Sequence, residues 1–387
     1  MFKSIFFITN TSYTLYSLRL NLMLRLKGEN VNVIAGAPRD KYSGKLIDKG
    51  LDFYDVPMSQ TGMNVFQELQ TILSLIMAYK KVRPDIVHLY SVKAIVWGLL
   101  ASNFSPRINF VATFTGMGFL RTCGRLTRFL LFLVIRVSHR RNKKYVFQNS
   151  QDLIFFEQHT GIKGCSHLIR GSGVDTGFFA CPLSSESESA ARVTKFLMFS
   201  RLLKSKGVLD YLNAVKKVRR RVPDLKAGFS LLGGAYPSNP NKVDSEWLSG
   251  EDFIEPNVIK EIVNEAGVTW YEHDNNVLPY LISSDIVVLP SYYPEGLPRS
   301  LLEAMSCENA VLTTDTAGCQ DVVDGSNGIL VPPKDVDKLA EALASLALLS
   351  THRLEEMKKS SRQLVRRLFS DEIVIDSYLA VYRGFYG

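Results

Sequence analysis

The sequence predicts an α/β protein built from two doubly wound parallel sheets in tandem. Short apolar runs alternate with helical stretches along most of the 387 residues, which is the pattern of strands joined by crossover helices. A segment of small and polar residues, 181–189, interrupts this alternation, and the pattern then starts again. The length also exceeds what a single hydrophobic core usually organises, so two domains are expected.

The predicted strands are the short apolar runs themselves. They cover residues 4–9, 31–35, 52–56, 85–89, 109–114 and 145–148 in the first half, and residues 195–200, 227–232, 268–271, 285–289, 310–314 and 328–331 in the second. Helical stretches lie between them, for example at 15–27 and 65–82. We expect one domain over residues 1–175, a second over 176–370, and a terminal segment, 371–387, with partly helical spacing.

The positive charge is concentrated in the first half. Residues 1–150 hold 21 Lys and Arg against 7 Asp and Glu, whereas residues 151–387 hold 25 against 31. Segment 121–144 has eight cations and no acid, and its apolar run, 129–135, is too short to span a bilayer. Three interpretations stay open: a helix lying on anionic lipid, a solvated helix whose apolar residues are core, and nucleic-acid binding, which no motif favours. The candidate lipid-facing residues are Arg121, Arg125, Arg128, Phe129, Phe132 and Arg136.

Two acidic residues eight positions apart flank a predicted helix start. An apolar strand ends before Pro290, a loop containing Glu295 follows, and Pro298 is placed at the first helical position, which puts Glu303 about two turns into the helix. Free backbone N–H groups and the positive end of the helix dipole suit a phosphate group there. The two carboxylates could therefore hold hydroxyl groups on either side of a diphosphate, as a nucleotide sugar would require.

Two cations follow the first predicted strand of the second domain. Arg201 offers a planar fork and Lys206 a point charge, and both suit a diphosphate. Two cations in a surface loop are also ordinary, but the Glu295 segment at the end of a neighbouring strand favours the functional interpretation. In the first domain, Gly116 and Gly118 permit close backbone approach to a ligand, although the third glycine of a dinucleotide-binding fingerprint is missing.

No cofactor or metal site is predicted. Five cysteines form no CxxC pair and are odd in number, so neither a disulfide framework nor a zinc site is indicated, which fits a reducing cytoplasm. The first residues read as a strand and not as a signal peptide. Asp335 and Asp337 have the spacing of a metal-binding DxD motif, but they open a predicted helix and are interpreted as an N-cap with a first-turn acid.

Several of these motifs together resemble family-4 retaining glycosyltransferases of the GT-B fold, in which two Rossmann-like domains face a cleft. The motifs are Glu295-x7-Glu303, Arg201-x4-Lys206-Gly207, and segments 287–291, 313–318 and 327–333. Segments 10–12 and 114–118, with 84–88 and Lys93, resemble the branch that acts on undecaprenyl-diphosphate-linked O-antigen or glycan repeat units. The resemblance runs nearly end to end.

The resemblance implies transfer of a hexose or N-acetylhexosamine from a nucleotide sugar, with a UDP-sugar favoured, with retention at the anomeric carbon and without a bound metal. Arg201 and Lys206 would stabilise the leaving diphosphate. Glu303 would accept hydrogen bonds from the ribose hydroxyls and Glu295 from the donor sugar. The backbone of Gly296 and Leu297 would contact phosphate or sugar. The catalytic candidates are thus Arg201, Lys206 and Glu295.

The same resemblance places the acceptor in the first domain. The loops facing it would contain Asn10, Thr11, Thr115, Gly116 and Gly118. The terminal segment would cross back to the first domain, and the protein would lie peripherally on the cytoplasmic face of the plasma membrane, with no nucleic-acid partner. A transferase of the same fold with a soluble acceptor, or a UDP-sugar epimerase, remains an alternative.

Overall fold

The computed structural model describes residues 2–59, 64–181, 193–234 and 252–386. The chain forms two compact units. The first contains the residues up to Gly173 and those from Asp371 onward, and the second contains the described residues of 174–370. Most of the polar segment 181–189 lies outside the described residues.

The first unit contains a seven-stranded parallel sheet. In chain order its strands are β1 (Ser4–Ile8), β2 (Asn32–Ala37), β3 (Asp52–Asp55), β4 (Ile86–Tyr90), β5 (Asn109–Phe114), β6 (Lys143–Phe147) and β7 (Ser166–Leu168). Their order in the sheet is β3-β2-β1-β4-β5-β6-β7, so the direction of winding reverses between β1 and β4. The predicted strands are all present, and β7 was missed because it is only three residues long and contains Ser166 and His167.

Helices cover both faces of this sheet. One face carries α1 (Ser12–Leu18), α2 (Leu20–Gly28), α3 (Lys41–Asp48) and the terminal helix α15 (Asp371–Arg383). The other carries α4 (Val65–Val82), α5 (Val92–Ser102), α6 (Gly118–Thr122), α7 (Arg125–Ser138) and α8 (Ser150–Thr160). The helix predicted over 15–27 is in fact two helices, because Arg19 between them has a non-helical backbone at φ −127° and ψ −3°.

The second unit contains a six-stranded parallel sheet. Its strands are β8 (Thr194–Phe199), β9 (Ala227–Leu232), β10 (Thr269–Tyr271), β11 (Ile286–Leu289), β12 (Ala310–Thr314) and β13 (Gly328–Val331). Their order is β10-β9-β8-β11-β12-β13. The helices are α9 (Val208–Arg221), α10 (Pro256–Ala266), α11 (Leu278–Ile282), α12 (Arg299–Ser306), α13 (Val336–Ala347) and α14 (Thr351–Leu368).

The predicted α/β fold class, two doubly wound parallel sheets in tandem, is confirmed. Strand β11 shows why its sequence reads as a continuous apolar run: Ile286 and Val288 enter the core on one face of the sheet, and Val287 and Leu289 enter the core on the other. In the part of the chain that is described, no helix is both long and apolar enough to cross a membrane.

Candidate active site

The order of the second sheet reverses between β8 and β11, so the loops after these two strands lie side by side at its carboxyl edge. The two loops touch at Ser205, whose carbonyl oxygen accepts hydrogen bonds from the Ser291 hydroxyl at 3.2 Å and the Tyr292 amide at 3.0 Å. Gly207 caps α9 with φ 76°, and a Cβ there would lie 2.1 Å from the carbonyl oxygen of Pro290. This close approach therefore requires glycine.

The contact between the two loops brings a predicted cation and a predicted acid together. Lys206 Nζ and Glu295 Oε1 form an ion pair, in which the two side chains are 14% and 15% exposed. The Ser291 hydroxyl donates to the same carboxylate oxygen at 3.0 Å. Because the pair is largely desolvated, each charge stabilises the other, and a diphosphate that enters here would compete with Glu295 for Lys206.

The loop that follows β12 contacts the loop containing Glu295. The Glu295 amide donates to the Ala317 carbonyl at 3.1 Å, and a Cβ on Gly318 would lie 2.4 Å from the Gly296 carbonyl oxygen. Cys319 is buried in this loop, and burial, together with the negative charge of Glu295, raises the pKa of its thiol to about 11. The thiol is therefore protonated near neutral pH and is not a nucleophile.

Glu303 lies on α12, whose start differs by one residue from the prediction. Pro298 is the N-cap, with φ −65° and ψ 114°, and the helix begins at Arg299, so Glu303 is about one turn inside it and not two. Arg299 Nε donates to Glu303 Oε1 at 2.7 Å. Burial raises the pKa of Glu303, and Arg299 opposes that increase. The i,i+4 spacing of the two residues is the signal from which this ion pair could have been predicted.

The other donor-site candidates lie in two different environments. Gly296 and Leu297 are buried, and the Leu297 side chain belongs to a core shared with β8, β11 and α12. Arg201 is exposed two residues after the end of β8, and it is not a member of the Lys206–Glu295 ion pair. The structure therefore joins Lys206 to Glu295 directly and leaves the Arg201 side chain at the surface.

The DxD sequence has the structural role that was expected of it. The Asp335 carboxylate caps α13 by accepting from the Lys338 amide at 2.9 Å, and Asp337 forms ion pairs with Lys217 at 2.8 Å and Arg221 at 2.7 Å. Among the described residues, no group of three or more His, Cys, Asp or Glu side chains could hold a metal ion.

The acceptor-loop candidates follow β1 and β5 of the first sheet. Asn10 is buried, and the Thr11 hydroxyl caps α1 by accepting from an amide three residues further on, at 3.2 Å. Thr115 and Gly116 follow β5, with Gly116 at φ 136°, and Gly118 is the first residue of α6. Since β1 and β5 both neighbour β4 and run parallel to it, these loops share one edge of the sheet.

Only part of the predicted lipid-facing set lies at the surface. Phe129 is 61% exposed, and Arg125 and Arg136 are exposed. Phe132 is only 3% exposed and belongs to the core, which corrects the prediction. The helical period explains the correction, since Phe132 and Ile135 lie three positions apart and share the inward face of α7.

Two further cations of this set are engaged within the fold. Arg121 Nε forms an ion pair with buried Asp152 at 3.0 Å, and Arg128 Nε donates to the Leu120 carbonyl at 2.7 Å. These contacts fix the turn between α6 and α7. Arg121 and Arg128 therefore act first as structural groups, and only Arg125 and Arg136 are fully available to an external anion.

The sequence interpretation missed a second exposed apolar stripe. It lies on α4, which covers the same face of the sheet as α7 and neighbours it across α5. Leu73 and Met77 are 51% and 60% exposed, and the full set is Val65, Phe66, Leu69, Leu73 and Met77. Their helical spacing equals that of core residues, so the sequence carried no signal to separate them.

Comparison with known proteins places this geometry in a family. The family model described as "Glycosyl transferase 4-like" matches residues 4–150, and the model described as "Glycosyl transferases group 1" matches residues 193–348. The first match covers β1–β6 of the first sheet, and the second covers the whole second sheet with the Lys206 and Glu295 loops.

Two relatives matched over most of their length show the same similarity. The chain is 25% identical, over 97% of each protein, to the N,N'-diacetylbacillosaminyl-diphospho-undecaprenol alpha-1,3-N-acetylgalactosaminyltransferase of Campylobacter jejuni. It is 22% identical to the UDP-Gal:alpha-D-GlcNAc-diphosphoundecaprenol alpha-1,3-galactosyltransferase of Escherichia coli, over 78% of this chain and 77% of that protein.

Solved structures share the fold over their whole length. A glycosyltransferase from Rickettsia africae has a TM-score of 0.78 at 18% identity and covers 98% of both chains. HepE from Anabaena, solved with UDP and glucose, has a TM-score of 0.76 at 16% identity, over 99% of this chain and 100% of its own. Because the two family matches together cover both sheets except β7, the protein belongs to the glycosyltransferases that these families describe, and its fold is the GT-B fold of the solved structures.

Proposed function

We propose that the protein is a retaining glycosyltransferase that moves a hexose or N-acetylhexosamine from a UDP-sugar onto an undecaprenyl-diphosphate-linked saccharide during surface polysaccharide synthesis. The observation that carries the proposal is the Lys206–Glu295 ion pair at the point where the second sheet reverses its winding. The similarity to two transferases whose names specify undecaprenyl-diphosphate acceptors, over 97% of one and 77% of the other, supports the acceptor class.

The ion pair suggests how the donor is bound. The diphosphate displaces Glu295 from Lys206, and the freed carboxylate accepts hydrogen bonds from hydroxyl groups of the donor sugar. Arg201 is exposed near the end of β8 and supplies a second cation once the diphosphate is in place. Glu303 accepts from the ribose hydroxyls, and its ion pair with Arg299 holds the carboxylate in position.

In the proposed reaction, the bond between the anomeric carbon and the β-phosphate oxygen breaks while the acceptor oxygen attacks from the same face. The acceptor hydroxyl gives its proton to the departing phosphate oxygen, and UDP leaves. No side-chain base is required, and the cations of Lys206 and Arg201 stabilise the charge that develops on the diphosphate. We propose that these cations replace a metal ion.

Peripheral attachment to the cytoplasmic face of the plasma membrane completes the proposal. A cavity of about 300 Å³ on α7 suits an anionic headgroup with its acyl chain, and Arg125 and Arg136 are its available cations, since Arg128 donates to the Leu120 carbonyl. Its lining residues are Arg125, Arg128, Phe129, Phe132, Leu133, Arg136 and His159. The exposed stripe of α4 adds a second apolar surface on the same helical layer. The exposed charged residues of α4, Lys80 and Lys81, are both positive, which favours an anionic surface.

The decisive experiment is a donor screen with purified protein and EDTA. UDP-, GDP- and dTDP-sugars are offered with a detergent-solubilised undecaprenyl-diphosphate saccharide or with the free saccharide. Release of one nucleotide only with the lipid-linked acceptor, and a product of retained anomeric configuration, is the expected result. Turnover with the free saccharide indicates a soluble acceptor, turnover without an acceptor indicates an epimerase, and inversion of configuration contradicts the mechanism.

A further inference from the structure

The point where the first sheet reverses its winding, between β1 and β4, carries two buried polar groups that lack partners. The side-chain amide nitrogen of Asn10 and the hydroxyl of Ser91 are both buried and have no hydrogen-bond partner among the described residues. Asn10 is 3% exposed, and its amide oxygen accepts from the Thr9 hydroxyl at 3.2 Å, which leaves the nitrogen as the unused donor. Orphaned buried donors of this kind are rare, and each is usually satisfied by a water, an ion or a ligand.

The strand register brings these two groups together. Ile8 of β1 lies opposite Leu89 of β4, so continuing the parallel pairing by two residues places Asn10 beside Ser91. Neighbouring parallel strands are about 4.8 Å apart, so a single small group can reach both side chains. Ser91 is also the N-cap of α5, an eleven-residue helix, but its hydroxyl makes no capping hydrogen bond. The amides of the first turn of α5 therefore receive no side-chain cap from Ser91.

Ser91 has a backbone conformation that serine rarely adopts. Its φ is 66° and its ψ is 149°, a region occupied almost only by glycine. At the corresponding reversal point of the second unit, the helix N-cap with positive φ is Gly207. The two positions differ in backbone conformation, since Gly207 has ψ 23° and Ser91 has ψ 149°. They also differ in place, because Gly207 follows the first strand of its reversal point, β8, and Ser91 follows the second, β4. Within the described residues the Ser91 hydroxyl has no structural partner.

A buried cation packs on Tyr90, whose side chain lies on the face of the sheet opposite to α5. Arg19 is 2% exposed, and its guanidinium carbon lies 4.4 Å from the centre of the Tyr90 ring, on the residue that precedes Ser91. Two of its nitrogens have no hydrogen-bond partner among the described residues. Donors at Asn10, at Ser91 and at the start of α5 form a site for an anion without a contribution from Arg19.

We propose that Asn10, Ser91 and the N-terminus of α5 bind the diphosphate of the lipid-linked acceptor. This assignment rests on the proposed function for the source of the diphosphate, whereas the donor's diphosphate is assigned to Lys206 and Arg201. Each unit would then hold one diphosphate at its own reversal point, and the chemical class of the ligand in the first unit is a phosphate ester and not a bare sugar.

The test titrates inorganic pyrophosphate into the full-length protein, with UDP present at saturation to occupy the donor site. We expect the wild-type protein to bind and Ser91→Gly to raise the Kd by about tenfold, the usual effect of losing one hydrogen bond to a charged group. Asn10→Asp should raise the Kd by at least about tenfold, because it also places a carboxylate beside the anion. Ser91→Gly should at the same time raise the melting temperature by about 2 °C, because glycine removes the backbone strain. A merely structural serine would give the stabilisation without the loss of binding.

The matched control is Asn30→Gly, which relieves another positive φ, 62°, at an exposed position of the same unit. It should stabilise the protein and leave pyrophosphate binding unchanged. The inference fails if wild type does not bind pyrophosphate beside UDP, if both site variants bind it normally, or if they weaken UDP instead. The KM for the undecaprenyl-diphosphate saccharide separates the two proposals. If the variants transfer sugar with an unchanged KM for this acceptor, the proposed function stands and the acceptor diphosphate site is overturned.

Discussion

The two units of this protein share one winding pattern but differ in what they place at its reversal point. In the second unit, the loops that meet there carry opposite charges, and Lys206 pairs with Glu295. In the first unit, the same location carries uncharged donors, Asn10 and Ser91, without described partners. A ligand of the second unit must break the Lys206–Glu295 ion pair before it can bind Lys206, whereas a ligand of the first unit breaks no hydrogen bond of the unpaired donors. The difference suggests that the second unit binds its ligand by replacing Glu295, and that the first unit binds any group that can accept hydrogen bonds from Asn10 and Ser91.

The most severe loss of activity is expected when the Lys206 cation of the second unit is removed. Lys206→Met should lower kcat by about a thousandfold, the effect typical of losing one group that stabilises developing charge. Lys204→Met, which removes an exposed cation from the same turn, is the matched control and should stay near wild-type activity. Steady-state kinetics with the donor found in the screen measure both. Equal losses in the two variants would mean that only the general positive potential matters.

Changing one residue of positive φ at each reversal point gives the next largest effect. Gly207→Ala should reduce the free energy of unfolding by about 3 kcal/mol or more, since a Cβ would lie 2.1 Å from the Pro290 carbonyl oxygen in a backbone with φ 76°. Ser91→Gly should have the opposite sign. Thermal and urea unfolding of the two variants tests the contrast. A stable Gly207→Ala protein would show that the loops after β8 and β11 can separate.

Much of the second site could be predicted from the sequence, because its residues occur at recognisable points in the strand–loop–helix pattern. Lys206 lies in the loop between β8 and α9, and Glu295 lies between β11 and α12. Their direct pairing could not be predicted, because it depends on β8 and β11 being neighbours over a separation of 89 residues. The sequence around Ser91 predicted neither its backbone conformation nor a role in binding. A positive φ at serine is a consequence of how β4 meets α5, and no local sequence feature encodes it.

A smaller effect concerns the second acid of the donor site. Glu303→Gln should raise the donor KM by about tenfold to thirtyfold, with little change in kcat, because a hydrogen bond to a charged acceptor contributes to donor binding. Burial raises the pKa of Glu303, so in the wild type this carboxylate takes up a proton at a higher pH than an exposed glutamate does. Donor KM should therefore rise as pH falls through that raised pKa, and Glu303→Gln should lose this dependence.

The control for this measurement is Glu341→Gln, which changes an exposed glutamate of the same unit. Its KM and pH profile should match those of the wild type. An unaltered acid limb in Glu303→Gln would assign the pH dependence to another group, and an unaltered KM would remove Glu303 from the donor site.

The smallest expected effect extends the comparison to the surfaces of the two units. Phe129→Ser on α7 and Met77→Ser on α4 should each weaken binding to anionic vesicles by about threefold to tenfold, because each removes an exposed apolar side chain that can insert between lipids. Leu348→Ser is the control, since Leu348 is 69% exposed on the second unit and no lipid contact is assigned to it. Sedimentation with vesicles at low and high salt measures all three. If only Phe129→Ser weakens binding, α7 alone touches the membrane. If Leu348→Ser weakens vesicle binding equally, exposed apolar side chains adsorb to vesicles wherever they lie. The two units would then not differ in membrane binding.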